Sequence, residues 1–174
     1  MIRASIASTA AAMLLAACGG MAPADGPGAK ANLQPTKGNS ASGSATFTQK
    51  GDRVQVVAKL SGLKPNQEHG FHIHEKGDCS SGDGMSTGGH FNPLGKPHAH
   101  PSTTERHAGD LPALKADASG NASLSVELDT ITVADGPTGV VGKGLIVHAQ
   151  PDDYRTQPTG NAGARIACAA IQRS

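Results

Sequence analysis

The sequence predicts an all-β fold: a Greek-key β-sandwich or flattened eight-stranded barrel, with two long functional loops on one side. Three observations carry this. Glycine and proline are abundant, at 23 and 11 of 174 residues, and they separate short Val/Ile/Leu runs, as a set of short strands and turns requires. Several of those runs alternate apolar and polar residues, the period of a half-buried strand. Beyond residue 17 no long stretch carries the 3.6-residue apolar period of an amphipathic helix.

The chain opens with Met1-Ile2-Arg3, a basic start, followed by an apolar or small stretch from Ala4 to Ala17. That stretch is too short to span a bilayer as a mature helix. It ends in Leu15-Ala16-Ala17-Cys18, which resembles a bacterial lipoprotein signal whose cysteine is lipidated and becomes the mature N-terminus. Residues 1–17 are therefore expected to be a signal peptide. Residues 18–35, rich in Gly, Pro and Ala, are expected to form a flexible tether behind a lipidated Cys18. Residues 36–174 remain as one domain. The expected location is the periplasm of a Gram-negative bacterium, on a membrane. With Cys18 lipidated, the other two cysteines, Cys79 and Cys168, remain as a pair that an oxidising compartment allows to join.

Within the domain, Ala45-Thr-Phe-Thr-Gln and Val54-Gln-Val-Val-Ala-Lys-Leu60 alternate on either side of Gly51-Asp52. They predict a hairpin with one core face. Ser61 to Asn66 is a turn cluster, and Glu68 to His74 a third strand. A Gly/Ser loop over 75–89 carries Cys79. Gly120 and Asn121 punctuate a strand pair, roughly 112–118 and 121–128. Val140-Val141 with Leu145 to His148 predicts a further strand, 149–163 a polar loop, and Ala164 to Ile171 the last strand.

Net charge is +1, aromatics are 2% of the chain and tryptophan is absent. There is neither a basic footprint nor a stacking platform for nucleic acid. The chemistry lies in histidine. His90 to Pro101, running on to Asp110, holds four of the eight histidines and three prolines, so it is neither an interior helix nor a central strand. His90, His98, His107 and Asp110 supply an N3O set of the kind zinc takes. His72-Ile73-His74 places two imidazoles on one face of a strand, and His148 ends another. Imidazoles suit copper as well as zinc. Two metals sharing His90 would account for the whole set.

His69-Gly-Phe-His-Ile-His74, Gly89-His-Phe-Asn-Pro93, Arg106-His-Ala-Gly-Asp110 and Gly160-Asn-Ala-Gly-Ala-Arg-Ile-Ala-Cys168 resemble the copper/zinc superoxide dismutases, over about residues 37–172. The resemblance implies copper on His72, His74, His90 and His148, and zinc on His90, His98, His107 and Asp110. It implies that Asp152 hydrogen-bonds a ligand of each metal, that Arg165 docks the anionic substrate, and that Cys79 and Cys168 form the family disulfide. His69 falls just outside the copper ligands, and His100 has no assigned role. The short spacing from His74 to Cys79 is similar to the bacterial branch.

The implied activity is disproportionation of two superoxide anions to O2 and hydrogen peroxide, with copper alternating between Cu(II) and Cu(I), zinc structural, and His90 bridging and carrying a proton. The implied partners are superoxide and, through Cys18, a membrane; a homodimer is left open. The loop between His148 and Arg165 is shorter and poorer in charged residues than in the eukaryotic enzymes of the family it resembles, so their way of steering substrate is not implied, and Lys76 and Lys96 are the alternative sources of positive potential. The competing reading is a non-enzymatic copper/zinc-binding domain on the same fold, which does not require Arg165.

Overall fold

The computed structural model describes Met1 and residues 26–174. Residues 2–17 of the expected signal peptide, and Cys18, lie outside the described residues. Among these, the strands are β1 (Gly28–Pro35), β2 (Ser42–Lys50), β3 (Arg53–Ser61), β4 (Glu68–His69), β5 (Phe71–His74), β6 (Leu114–Lys115), β7 (Ala122–Leu128), β8 (Gly144–His148), β9 (Arg165–Ala170) and β10 (Gln172–Arg173). The helical content described is one 3-10 turn at Met85–Thr87.

The main sheet is antiparallel and curled, in the order β5-β8-β9-β1-β2-β3-β7, with β10 also on β1. β4 and β6 pair separately. β1 is the seam. Its first part pairs with β2 from Gly28 to Leu33, and its last two residues switch to β9. The predicted hairpin is β2–β3, paired from Ser42↔Ser61 to Lys50↔Arg53 around Gly51-Asp52. Alternation sends Ala45, Phe47, Val54, Val56, Ala58 and Leu60 inward. There they meet Leu33, Phe71, Ile73, Leu145 and Val147 in one apolar core.

Four expectations need correction. The tether expected over 18–35 ends earlier, because Gly28–Pro35 is β1. Ala29, Ala31 and Leu33 are buried and alternate with exposed or half-buried polar neighbours, so this stretch is a strand with a small-residue face. The third strand breaks at Gly70, whose N–H donates to Gln150 O and whose carbonyl accepts from His148 N. β4 therefore joins β6 while β5 joins β8. The strand expected over 112–118 shortens to Leu114–Lys115, and Val140-Val141 is not in a strand but bonds Thr132 through Val140 N.

The sheet presents β5 as an edge, and the long loop covers it. Phe91 N donates to Ile73 O, Ile73 N to Gly109 O, and Gly109 N to Phe91 O, all at 2.8–2.9 Å. Isolated bridges also join His72 to Asp110 and His74 to His90. An added Cβ at Gly109 would run into the Ile73 carbonyl, so the close approach of loop to strand depends on glycine there. All four residues of β5 are buried, Phe71 and Ile73 in the core and His72 and His74 beneath the loops.

Candidate metal centre

Two groups of buried ligand atoms form where the loops meet β5, β8 and β9. His72, His74, His90 and His148 make one; His90, His98, His107 and Asp110 make the other. Within each group the ligand atoms lie within 4.8 Å of one another. Every residue expected from the sequence as a metal ligand is thus in one of the two groups, and His90 belongs to both.

The hydrogen bonds fix which nitrogen each ring presents. His72 Nε2 lies 2.7 Å from Asp152 Oδ2, which leaves Nδ1 for the group. His74 Nδ1 donates to Gly88 O at 2.9 Å and His148 Nδ1 to Gly163 O at 3.2 Å, which leaves Nε2 of each. His90 turns Nδ1 toward Asp110 Oδ1 at 3.0 Å and keeps Nε2. The four remaining nitrogens, His72 Nδ1 and Nε2 of His74, His90 and His148, are all buried and all without a hydrogen-bond partner. Unpaired buried polar atoms are costly, and four converging ones fit a metal ion with imidazole preference.

In the second group, Asp110 Oδ1 lies 2.9 Å from His98 Nδ1, 3.0 Å from His90 Nδ1 and 3.4 Å from His107 Nδ1, and the last is 3.3 Å from His90 Nδ1. A tetrahedral ion with ligands at about 2.0–2.1 Å needs ligand–ligand edges of roughly 3.3 Å. The other oxygen, Asp110 Oδ2, accepts from His107 N and Ala99 N, so the carboxylate also closes the loop on itself.

Asp152 links the groups. Its Oδ2 meets His72 Nε2, and its Oδ1 meets His98 Nε2 at 2.9 Å and accepts from Tyr154 N at 2.7 Å. Such a partner sets tautomer and ring orientation.

The electrostatics follow from burial. Loss of solvent holds His72, His74 and His148 below the ordinary imidazole value and brings His90 down to about 4. These rings are neutral near pH 7 and offer lone pairs. Burial also pulls on His98, but hydrogen bonds to Asp110 and Asp152 outweigh it and lift His98 to about 9. Burial opposes ionisation of both aspartates, yet their imidazole contacts hold each carboxyl well below the usual range.

Arg165 follows His148 across the β8–β9 ladder, where a register shift separates Val147 from His148. Its Nη1 donates to Gly84 O and Thr87 Oγ1, and its Nη2 to Gly88 O, all at 2.8 Å. Gly88 O also accepts from His74 Nδ1, so one carbonyl ties the guanidinium to the four-histidine group. The Cys79–Cys168 disulfide joins this loop to β9.

Several positioning residues were not singled out in the sequence. Gln157 clamps the His98 backbone, its Oε1 accepting from His98 N and its Nε2 donating to His98 O. Thr87 and the carbonyls of Gly84 and Gly88 hold Arg165. Gly160, at φ 66°, is a further one: an added Cβ would collide with Asp152 Oδ1 and His98 Nε2. Gly160→Ala is expected to push the Asp152 carboxylate off one ring and lower metal affinity about 10- to 100-fold; metal retention during competition with a chelator checks it. Lys96 is paired with Glu105 at 3.1 Å, which reduces its value as a source of potential, whereas Lys76 is exposed. His100 stands outside both groups, bonded to Ser102 and edge-on to Tyr154.

Residues 41–171 match the family model described as copper/zinc superoxide dismutase. The chain is also similar to the crystal structure of a protein named the clock protein EA4, at 40% identity and a TM-score of 0.76, over 83% of this chain and 93% of that one. With a match across most of its length and two ligand groups sharing one histidine, the chain belongs to the copper/zinc superoxide dismutase family.

Proposed function

We propose that this protein is a superoxide dismutase that converts two superoxide anions into O2 and hydrogen peroxide. In this reading copper is held by His72 Nδ1 and by Nε2 of His74, His90 and His148, and zinc by Nδ1 of His90, His98 and His107 with Asp110. The single observation that carries it is the pair of four-atom groups meeting at His90, with the copper-side nitrogens buried and unpartnered. Copper would supply the one-electron redox couple, and zinc would carry no redox role.

The rest is done by the chain. Arg165 keeps a fixed charge beside the site because three acceptors pin its fork, and its remaining N–H donors are free to meet a small anion. With Nδ1 held in the zinc group the His90 ring would stay in place, and its Nε2, whenever it is not serving as a metal ligand, would hold a proton for the reduced substrate. Asp152 keeps His72 and His98 in the tautomers that leave Nδ1 open. The guanidinium favours the enzyme over a metal-storage domain on the same fold, since storage has no use for an oriented cation.

Protein loaded with one copper and one zinc is expected to remove superoxide in pulse radiolysis at roughly 10⁸–10⁹ M⁻¹s⁻¹. Full metal occupancy with no acceleration over the spontaneous reaction would sink the proposal and favour the storage reading.

We also propose that Cys18 carries a lipid that holds the protein to a membrane facing the periplasm. Among the described residues no helix is long and apolar enough to cross a bilayer. Cys18→Ser is expected to move the protein from the membrane to the soluble fraction; mass spectrometry of a wild-type mature chain without acyl groups on Cys18 would refute the anchor.

A further inference from the structure

The two ends of β1 have different neighbours. At its start, Gly26 N donates to Gln49 O, Gly28 pairs with Thr48, and Ser174 N donates to Gly28 O. The chain therefore enters the domain beside the β2–β3 turn, where Lys50 pairs with Arg53, and beside Ser174. At its finish, Thr36 N donates to Ile166 O, Thr36 Oγ1 to Arg165 O, and Lys37 N to Gly82 O. This is the Arg165 side of the four-histidine group, where Arg165 pairs with His148. The 8 residues of β1 rise by about 3.3 Å each, which puts roughly 26 Å of strand between the two ends.

A lipid on Cys18 would hold the domain by the first of these ends. From Cys18 to Gly26 the chain spans at most about 29 Å in any conformation. Bringing Arg165 down to the bilayer would lift the start of β1 by roughly 26 Å and use nearly all of that reach, with conformational freedom lost at each residue. Standing the domain on its tethered end uses little of it. The charges at that end are Lys50, Arg53 and Arg173 against Asp52 and Asp135, with Arg173 Nη2 2.8 Å from Asp135 Oδ1. No strong field of one sign therefore faces the lipid. We propose that the anchored protein rests the Lys50–Arg53 turn and β10 against lipid headgroups and holds Arg165 away from the membrane, open to the aqueous side. A small anion then reaches the guanidinium from water without crossing the headgroup layer.

The proposal rests on the lipid at Cys18 and not on the dismutase reading, and its test does not use activity. Full-length, lipidated, metal-loaded protein is bound to phosphatidylcholine vesicles that carry an energy acceptor on a headgroup. Asp52 and Lys37 are exposed and lie toward opposite ends of β1. Asp52→Cys and Lys37→Cys, each labelled with the same donor dye, report the height of the two ends. Transfer from position 52 should be at least about threefold faster than from position 37, given the strand length between them. Inserting about twenty Gly/Ser residues after Gly20 lengthens the reach and should bring the ratio toward unity. Equal or reversed transfer would overturn the orientation, and a ratio unmoved by the longer tether would overturn the tether as its cause; both leave the anchor standing. A mature chain that carries no lipid and stays off the vesicles would overturn the anchor, and the orientation with it.

Discussion

Asp110→Ala is expected to strip the proposed zinc from the protein and to loosen residues 90–111 well before the rest of the sheet melts. Asp110 contributes the only carboxylate of its group, and its two oxygens have separate tasks. Oδ1 faces three imidazoles at 2.9–3.4 Å, while Oδ2 accepts from His107 N and Ala99 N. Alanine removes the anion and leaves buried donors unpaired. Loss of a buried, charge-paired group costs about 3–5 kcal/mol, and zinc affinity should fall by roughly two to three orders of magnitude, or about 3–4 kcal/mol.

Asp110→Asn separates the two tasks. Its amide oxygen can still accept from the two backbone N–H groups, so the loop should hold better than in the alanine variant. It brings no charge, so zinc should still be lost. Elemental analysis after dialysis against a chelator reads the first effect, and the melting temperature with hydrogen exchange over 90–111 reads the second. Wild-type zinc content and melting temperature in both variants would show that Asp110 is not a ligand.

The same residues show what a sequence makes legible and what it hides. Both ligand groups were readable because each ligand is a side chain whose type names its chemistry. His72 and His74 sit two apart on a strand, and a proline-broken loop must gain order from something other than regular structure. The devices that aim those ligands were hidden because they are backbone groups or long-range contacts. Gly88 O serves both His74 and Arg165, and nothing in a glycine's identity announces that its carbonyl is needed. Gln157 reaches His98 across 59 positions.

β1 was missed for a different reason. Ala29-Lys30-Ala31-Asn32-Leu33-Gln34 does alternate, but alanine is a weak apolar signal, and the flanking Gly and Pro residues outweighed it. The pairing of β1 with both β2 and β9 explains the tolerance. Small side chains suffice on a strand whose neighbours, with Phe47 on β2 and Ile166 on β9, fill the core. The break at Gly70 is likewise tertiary. An added Cβ there would come within 2.8 Å of Ala162 Cβ and 3.2–3.3 Å of His72 Cε1 and His148 Cβ. The glycine thus lets two strands and a loop meet beside the metal ligands.

Arg165→Ala is expected to separate catalysis from metal binding. Arg165 is not in either ligand group, so copper and zinc content should stay at wild-type levels. The proposed substrate is a small anion, which the guanidinium would attract and orient. Its removal should lower the second-order rate by roughly one to two orders of magnitude, equivalent to about 1.4–2.7 kcal/mol of transition-state stabilisation. Arg165→Lys retains the charge, but a single ammonium cannot reproduce a fork that reaches Gly84 O, Thr87 Oγ1 and Gly88 O at once. It should fall between wild type and alanine. Arg165→Glu should be slower than alanine, because repulsion replaces attraction. Rising salt should slow the wild type more than the alanine variant, since screening acts on a charge the variant lacks. Thr87→Val isolates the support of the fork: it removes one of the three acceptors and leaves the charge, so the rate should fall by no more than a few-fold, about 1 kcal/mol or less. Rates from pulse radiolysis at matched metal content decide the matter. Equal rates in wild type, Ala, Lys and Glu would remove Arg165 from substrate guidance and leave the three hydrogen bonds as a device for holding the disulfide loop against β9.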